Sequence, residues 1–197
     1  LLSFISVFSL SYFTNSLSGL LLLFTILFYL FVYTIWLKKK TPQNIVIGGA
    51  SGALPPVIGW TIATNNITLE PITFFLIIFF WTPSHFWALS LYKADDYKKA
   101  KIPMLPLTDG VQKTKLNIFI YSIIMLPVVI LPYVINFAGL VYLIPSLLLT
   151  FYYIYVCYDL FKFKKNKFDI KQAKKVFGYS ILYLFLIFLL FIFDNLI

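Results

Sequence analysis

Apolar and polar positions in this chain are sorted into long blocks rather than mixed residue by residue. Seven apolar blocks can be drawn, at about 1–14, 18–37, 44–63, 71–92, 116–134, 139–161 and 175–194. Most approach the roughly 20 residues that an α-helix needs to cross a bilayer. The predicted fold is therefore all-α, a polytopic bundle of transmembrane helices forming one integral-membrane domain over residues 1–197.

The connectors between blocks alternate in kind. Residues 15–17 carry no charge, 38–43 carry Lys38, Lys39 and Lys40, and 64–70 carry only Glu70. Residues 93–115 hold six lysines, 135–138 none, and 162–174 most of the last seven. Positive charge marks the cytoplasmic side of membrane proteins, which puts the three lysine-bearing connectors inside. Each block must then cross once, which supports the count of seven. The lysine runs read as topology determinants beside anionic lipid, not as a nucleic-acid patch.

Composition agrees with the pattern: 61% of the 197 residues are hydrophobic and 12% charged, against about 45–50% and about 25% in soluble domains. The chain has sixteen lysines and no arginine. Any anion it holds must be held by lysine, backbone or metal, because a bidentate guanidinium fork is lacking. The single cysteine, Cys157, excludes an internal disulfide and a cysteine-based metal cluster, and is expected to be a small buried filler. The first residue is a leucine already inside an apolar block, so the chain is read as a fragment whose beginning is missing.

Candidate chemistry gathers in WTPSHFWALSLYKADDYKKAKIPMLP, residues 81–106, which holds the only histidine, His85, and the adjacent Asp95 and Asp96. If the helix runs on through this stretch, Trp81, His85, Leu89, Tyr92 and Asp96 share one stripe, with Asp95 turned about 80° away. Pro83 is placed to kink that helix. An ionisable residue in a membrane helix usually faces protein or a cavity and is a functional candidate, although a neutral His85 bonded to a neighbouring helix is the plainer alternative. Asp95 and Asp96 lie among Lys93, Lys98, Lys99 and Lys101, ahead of a loop restrained by Pro103 and Pro106. A solvated loop of screened charges would look similar. A restrained acidic and basic loop also suits a diphosphate bridged by magnesium, for which carboxylates supply hard oxygen ligands.

A second region is KKKTPQNIVIGGASGALPPVIGW, residues 38–60. Thr41, Gln43 and Asn44 open a helix whose N-terminus suits an anion, and Thr41 with Pro42 also serves as an ordinary cap. Gly48 and Gly52 form a small-xxx-small pair that predicts close helix packing. Pro55-Pro56 predicts a break within the membrane, tolerated only against protein or a cavity.

Taken together, these motifs resemble the protohaem IX farnesyltransferases, or haem O synthases. The resemblance rests on Thr41-Pro42-Gln43-Asn44, Gly48-Gly49-Ala50-Ser51-Gly52-Ala53, Pro55-Pro56 and Gly59-Trp60, followed by Trp81-Thr82-Pro83-Ser84-His85-Phe86-Trp87-Ala88-Leu89, Asp96-Tyr97 and Ile102-Pro103-Met104-Leu105-Pro106. It covers roughly residues 33–110 by motif and the remainder by helix pattern. The wider group is the UbiA-type intramembrane prenyltransferases, bundles of nine membrane helices around a central cavity. The resemblance implies transfer of a farnesyl group from farnesyl diphosphate to a vinyl group of protohaem IX, with magnesium as cofactor, in a bacterial inner membrane. The haem product would pass to a terminal oxidase assembly, directly or through a haem A synthase.

Carried over residue by residue, Asp96 belongs to the second acidic motif, with Asp95 a possible second magnesium ligand. Lys93 stands where the family often has arginine, so a point charge replaces a fork. Lys38 and Lys39 would face the diphosphate from the neighbouring loop. His85 lies in a signature segment, and haem contact is inferred from its depth. Trp60, Trp81, Phe86 and Trp87 could stabilise the farnesyl cation through their ring faces. The family's first acidic motif is absent from residues 1–40, which is expected if two helices precede this chain; alone, it would be inactive. Two alternatives stay open: a prenyltransferase for a quinone precursor, and a transporter or haem-binding scaffold without catalysis.

Overall fold

The computed structural model of the chain describes residues 1–162 and 170–196, so the lysines expected at 164, 165 and 167 in the last charged connector lie outside the described residues. The described residues contain helices and no strand, in the order α1 (Leu2–Phe13), α2 (Ser16–Leu27) running on into a π-helical stretch (Phe28–Leu37), α3 (Asn44–Ala53), α4 (Pro55–Thr64), α5 (Leu69–Tyr92), α6 (Ala94–Lys99), α7 (Leu105–Thr108), α8 (Val111–Val134), α9 (Leu140–Lys162) and α10 (Ile170–Asp194). Among those residues, six spans are long and apolar enough to cross a membrane: Ser16–Leu37, Asn44–Thr64, α5, α8, α9 and α10. They match six of the seven apolar blocks, and the chain is an integral membrane protein. The first block forms α1, whose 12 residues reach only about 18 Å.

Two borders moved. Helix α8 begins at Val111, so Lys113 and Lys115 belong to its first turns rather than to the connector. Helix α10 begins at Ile170, which carries Lys171, Lys174 and Lys175 onto a helix as well.

Polarity is distributed as a membrane bundle requires. Phe31, Trp36, Leu148 and Phe185 are each more than half exposed, while Ser84, Ser90, Ser122, Ser146, Thr150 and Ser180 are fully buried. Lipid tails are as apolar as leucine, so helices associate through close packing and interhelical hydrogen bonds. Such bonds tie α5 to α9 (Ser84 to Tyr153, 2.7 Å) and α9 to α10 (Thr150 to Tyr183, 2.9 Å). At the end away from the lysines, the Asp194 carboxylate of α10 accepts from the backbone N–H of Gly139 at 2.6 Å and of Tyr142 at 3.0 Å. It caps α9 from a different helix, meeting donors that have no partner within α9. Cys157 is buried and unpaired, as expected of a filler.

The glycine pattern resolves differently from its reading in sequence. A Cβ on Gly48 would stand 2.2 Å from the Tyr33 ring, and one on Gly49 would stand 3.0 Å from Thr82, whereas one on Gly52 would meet nothing within 4 Å. The packing pair is therefore Gly48 and Gly49, with Gly52 facing open space. Gly48→Ala is expected to destabilise the fold by about 1–3 kcal/mol through overpacking. Gly52→Ala is expected to change stability by no more than about 0.5 kcal/mol. Thermal unfolding of the two variants in one detergent checks the contrast.

Pro55 and Pro56 interrupt the second span as predicted, between Ala53 and Pro55. Neither proline carries an N–H, so the Ser51 and Gly52 carbonyls lose their helical donors. Leu54 nevertheless keeps helical torsions (φ −77°, ψ −27°), so α3 and α4 together still form one span. Helix α5 runs through Pro83 without interruption.

Candidate active site

The lysine-bearing end of the bundle is built from two connectors, 38–43 and 93–110, brought together because α3 packs against the second half of α5. In the first connector, Asn44 is buried and its side-chain amide donates to the Thr41 carbonyl at 2.7 Å and the Lys38 carbonyl at 3.3 Å. Asn44 thus folds the turn that presents Lys38 and Lys39. Thr41 accepts from the Gln43 N–H through its hydroxyl at 3.2 Å, and the helix itself starts at Asn44, two residues after the expected Pro42. The Lys38 ammonium lies 5.8 Å from the centroid of the Tyr33 ring.

The second connector corrects a prediction. The helix expected to run from His85 to Asp96 ends at Tyr92, because Lys93 leaves helical geometry (φ −111°, ψ 19°) before α6 begins at Ala94. Asp95 and Asp96 therefore sit in the first turn of α6 and do not continue the stripe of Trp81, His85 and Tyr92. Both carboxylates are exposed, and Asp96 pairs with Lys93 at 3.3 Å. Burial, with Tyr92 and Asp96 nearby, holds the Tyr97 phenol above its ordinary pKa, so it remains a neutral donor at neutral pH. Lys101 adopts the left-handed region (φ 54°) and turns the chain back toward the buried Met104 and Leu105.

Other acids near this end are engaged. Asp109 accepts from Lys113 and from the Thr108 hydroxyl, which hold its pKa below the usual carboxylate range. Asp159 accepts from Gln172 at 2.9 Å. No group of three or more acidic, histidine or cysteine side chains forms a metal cage among the described residues. Asp95 and Asp96 supply two exposed carboxylates, which fits magnesium, an ion that keeps waters and shares phosphate oxygens with one or two protein ligands.

Below this rim, His85 is buried between two aromatic rings, Trp81 at 4.3 Å and Phe177 at 4.5 Å between centroids, with Phe86 edge-on at 5.2 Å. Phe177 also meets Tyr92 at 5.9 Å, and Lys174 lies 5.7 Å from the centroid of the Tyr92 ring. A continuous aromatic column thus joins the charged end to His85. His85 and Trp81 line an apolar cavity of about 580 Å³, open along one side, whose other wall is α10, through Ile181, Leu184, Phe185 and Phe188. A second cavity of about 400 Å³ lies across Ile78 and Trp81, walled by Tyr29, Tyr33, Gly48, Gly52 and Phe86. Both volumes fall within the range of small-molecule sites.

Of the four aromatics named as possible cation stabilisers, Trp81 and Phe86 face these cavities. Trp87 is sealed in the core against Tyr121, and Trp60 packs on Phe137 toward the other end. The sequence reading missed the wall on α10. Lys174, Phe177, Ile181, Leu184 and Phe188 recur at three- and four-residue spacing, but beyond the lysines of its first turns the helix is apolar on nearly every side, so no polar opposite face marks the stripe.

The described residues thus form a polytopic membrane bundle with a charged rim over an apolar cavity. The chain belongs to the UbiA prenyltransferase family, whose profile matches residues 1–189. It is 74% identical over 194 residues to the protoheme IX farnesyltransferase of Pelagibacter ubique, covering 98% of this chain and 64% of that protein. The protoheme IX farnesyltransferase of Parvibaculum lavamentivorans is 47% identical, covering 95% of this chain and 59% of its own length. That of Azorhizobium caulinodans is 48% identical over 93% of this chain and 60% of its own length. The chain therefore spans about three-fifths of the length of these relatives. No solved structure matches it.

Proposed function

We propose that the protein transfers the farnesyl group of farnesyl diphosphate to a vinyl group of protohaem IX, making haem O. The observation that carries this reading is the junction of an acidic and basic rim with an apolar cavity that holds the chain's single histidine. A diphosphate needs the first and a planar apolar macrocycle the second. The similarity to proteins named protoheme IX farnesyltransferase supports it. The alternation of lysine-bearing connectors supports an orientation with the rim on the cytoplasmic side of a bacterial inner membrane.

In this reading Lys38, Lys39, Lys93 and Lys101 bind the diphosphate as point charges, and Asn44 positions the turn that carries the first two. Asp95 and Asp96 hold magnesium at that diphosphate. When bound, the ion neutralises charge on the leaving group. The allylic C–O bond breaks and diphosphate departs; the terminal vinyl carbon then forms the new C–C bond, and the cation left on the vinyl carbon beside the ring is taken by water with loss of a proton, giving the hydroxylated side chain of haem O. Tyr33 and Gly52 flank the farnesyl tail in the smaller cavity, while haem occupies the larger one beside His85. Trp81 stands between the two cavities, where its ring face stabilises the developing cation and excludes water. Tyr92 closes the aromatic column beneath the rim.

The test uses the full-length protein in proteoliposomes with magnesium, farnesyl diphosphate and protohaem, read as farnesylated haem by chromatography. A parallel reaction replaces protohaem with a hydroxylated aromatic acid of the quinone-precursor type. Haem O formation with an idle parallel reaction is the expected result. Prenylation of the aromatic acid alone assigns the protein to quinone synthesis, and haem binding without diphosphate release assigns it to a carrier.

A further inference from the structure

The Ser180 hydroxyl makes two short contacts, 2.6 Å to the Phe177 carbonyl and 2.7 Å to Nδ1 of His85. A hydroxyl has one proton, and a carbonyl oxygen only accepts. Placing the Ser180 proton in the shorter contact, toward Phe177, leaves a lone pair of Oγ facing the imidazole. Nδ1 of His85 is then the donor and carries a hydrogen. A neutral imidazole has one N–H, so Nε2 is left with its lone pair. No carboxylate contacts the ring among the described residues, and an unpaired imidazolium within a membrane span is costly.

The ring has little freedom to escape this assignment. It is clamped between Trp81 and Phe177, and Trp81 also donates from Nε1 to the Ser180 carbonyl at 2.8 Å. Ser180 is thus gripped twice by α5, once through its carbonyl and once through its hydroxyl. Nε2 has no hydrogen-bond partner among the described residues, yet it is not one of the polar atoms sealed without a partner in the core. His85 retains 8% exposure and lines the larger cavity, whose walls are otherwise almost entirely apolar. A lone pair presented to such walls awaits a ligand carried in by the occupant.

We propose that Ser180 is a positioning residue that holds His85 as the Nδ1–H tautomer, so that Nε2 offers its lone pair to the iron of a metalloporphyrin bound in this cavity. The proposal deepens, and rests on, the reading of the cavity as the haem site. An N–H···O bond behind a coordinating imidazole fixes the ring's orientation and raises its basicity.

His85 is the single histidine of residues 1–197, and in the ¹⁵N-histidine-labelled full-length protein its signals are assigned by sequential correlation to a ¹³C-labelled Ser84 carbonyl. The wild-type protein in nanodiscs is expected to show hydrogen on Nδ1 and a pyridine-type Nε2 at His85. Ser180→Ala is expected to move the hydrogen to Nε2, the tautomer that a free imidazole side chain prefers in water, and Ser180→Thr is expected to retain it on Nδ1. A wild-type spectrum with hydrogen on Nε2 overturns the proposal without any variant having to fold. Titration with protohaem, read by visible absorbance, tests the ligand. Ser180→Ala is expected to weaken nitrogen ligation by about 10–100-fold, with Ser180→Thr restoring it. If His85→Ala removes the ligation spectrum but Ser180→Ala does not, the haem reading stands and the role of Ser180 falls. If His85→Ala leaves the haem spectrum unchanged, the haem reading of the cavity falls, whatever the tautomer.

Discussion

Asp96→Asn in the full-length protein is expected to lower haem O production by about 100-fold or more while leaving the protein in the membrane at wild-type level. The magnitude is that of removing one preorganised charge stabiliser from a reaction in which charge leaves with the departing group. Asparagine keeps the size of the side chain and one oxygen, but loses the charge that holds a hard cation. The fold should be indifferent. Asp96 is exposed, and its pairing with Lys93 at 3.3 Å is a surface contact, a kind that contributes about 0–1 kcal/mol. Asp95→Asn is expected to have the smaller effect if Asp95 is only the second ligand. Asp109→Asn is the control, because that carboxylate is occupied by Thr108 and Lys113. Haem extracted from membranes and separated by chromatography gives the measurement, with immunodetection for protein level. Wild-type haem O in the Asp96 variant would remove that residue from the site.

How much of this arrangement was legible depended on what each residue's neighbours contribute. Block lengths alone located the six spans, because burying a backbone in lipid leaves the helix as the solution for such segments. The family motifs pointed to Asp96, His85 and the 38–44 turn as site candidates. Helical projection then failed at one place, Lys93. Nothing in Tyr92-Lys93-Ala94-Asp95 is a helix breaker, yet the helix breaks there, and Ala94, Met104 and Leu105 beyond the break are buried. Gly48 and Gly52 showed a second limit. Spacing reveals that two residues share a helix face, but not that the wide π-helical stretch brings Tyr33 against Gly48 and leaves Gly52 open. The α10 wall was illegible for a third reason. Lys174 and Ser180 look ordinary until Tyr92 and His85 arrive from a helix some ninety residues earlier in the chain.

That long-range meeting leads to the second large expected effect. His85→Ala should reduce affinity for protohaem by at least about 10-fold while changing affinity for farnesyl diphosphate by less than about 2-fold. Substituting a nitrogen ligand leaves the macrocycle only its apolar contacts with Ile181, Leu184, Phe185 and Phe188. A second-sphere change alone costs about 10-fold or more in metal affinity, so loss of the ligand itself should cost at least that. The diphosphate would be held at the rim by groups in the 93–101 segment and the 38–44 turn, and none of the contacts described for His85 reaches them. Structure could fail instead, because His85 fills the gap between Trp81 and Phe177. His85→Phe keeps that stack and abolishes the ligand, so it separates packing from coordination. Loss of haem affinity in both variants, with farnesyl diphosphate binding intact, locates iron ligation at the His85 imidazole. Retained haem affinity in His85→Phe would instead show that the ring's apolar faces hold the macrocycle, and coordination by His85 would have to be abandoned.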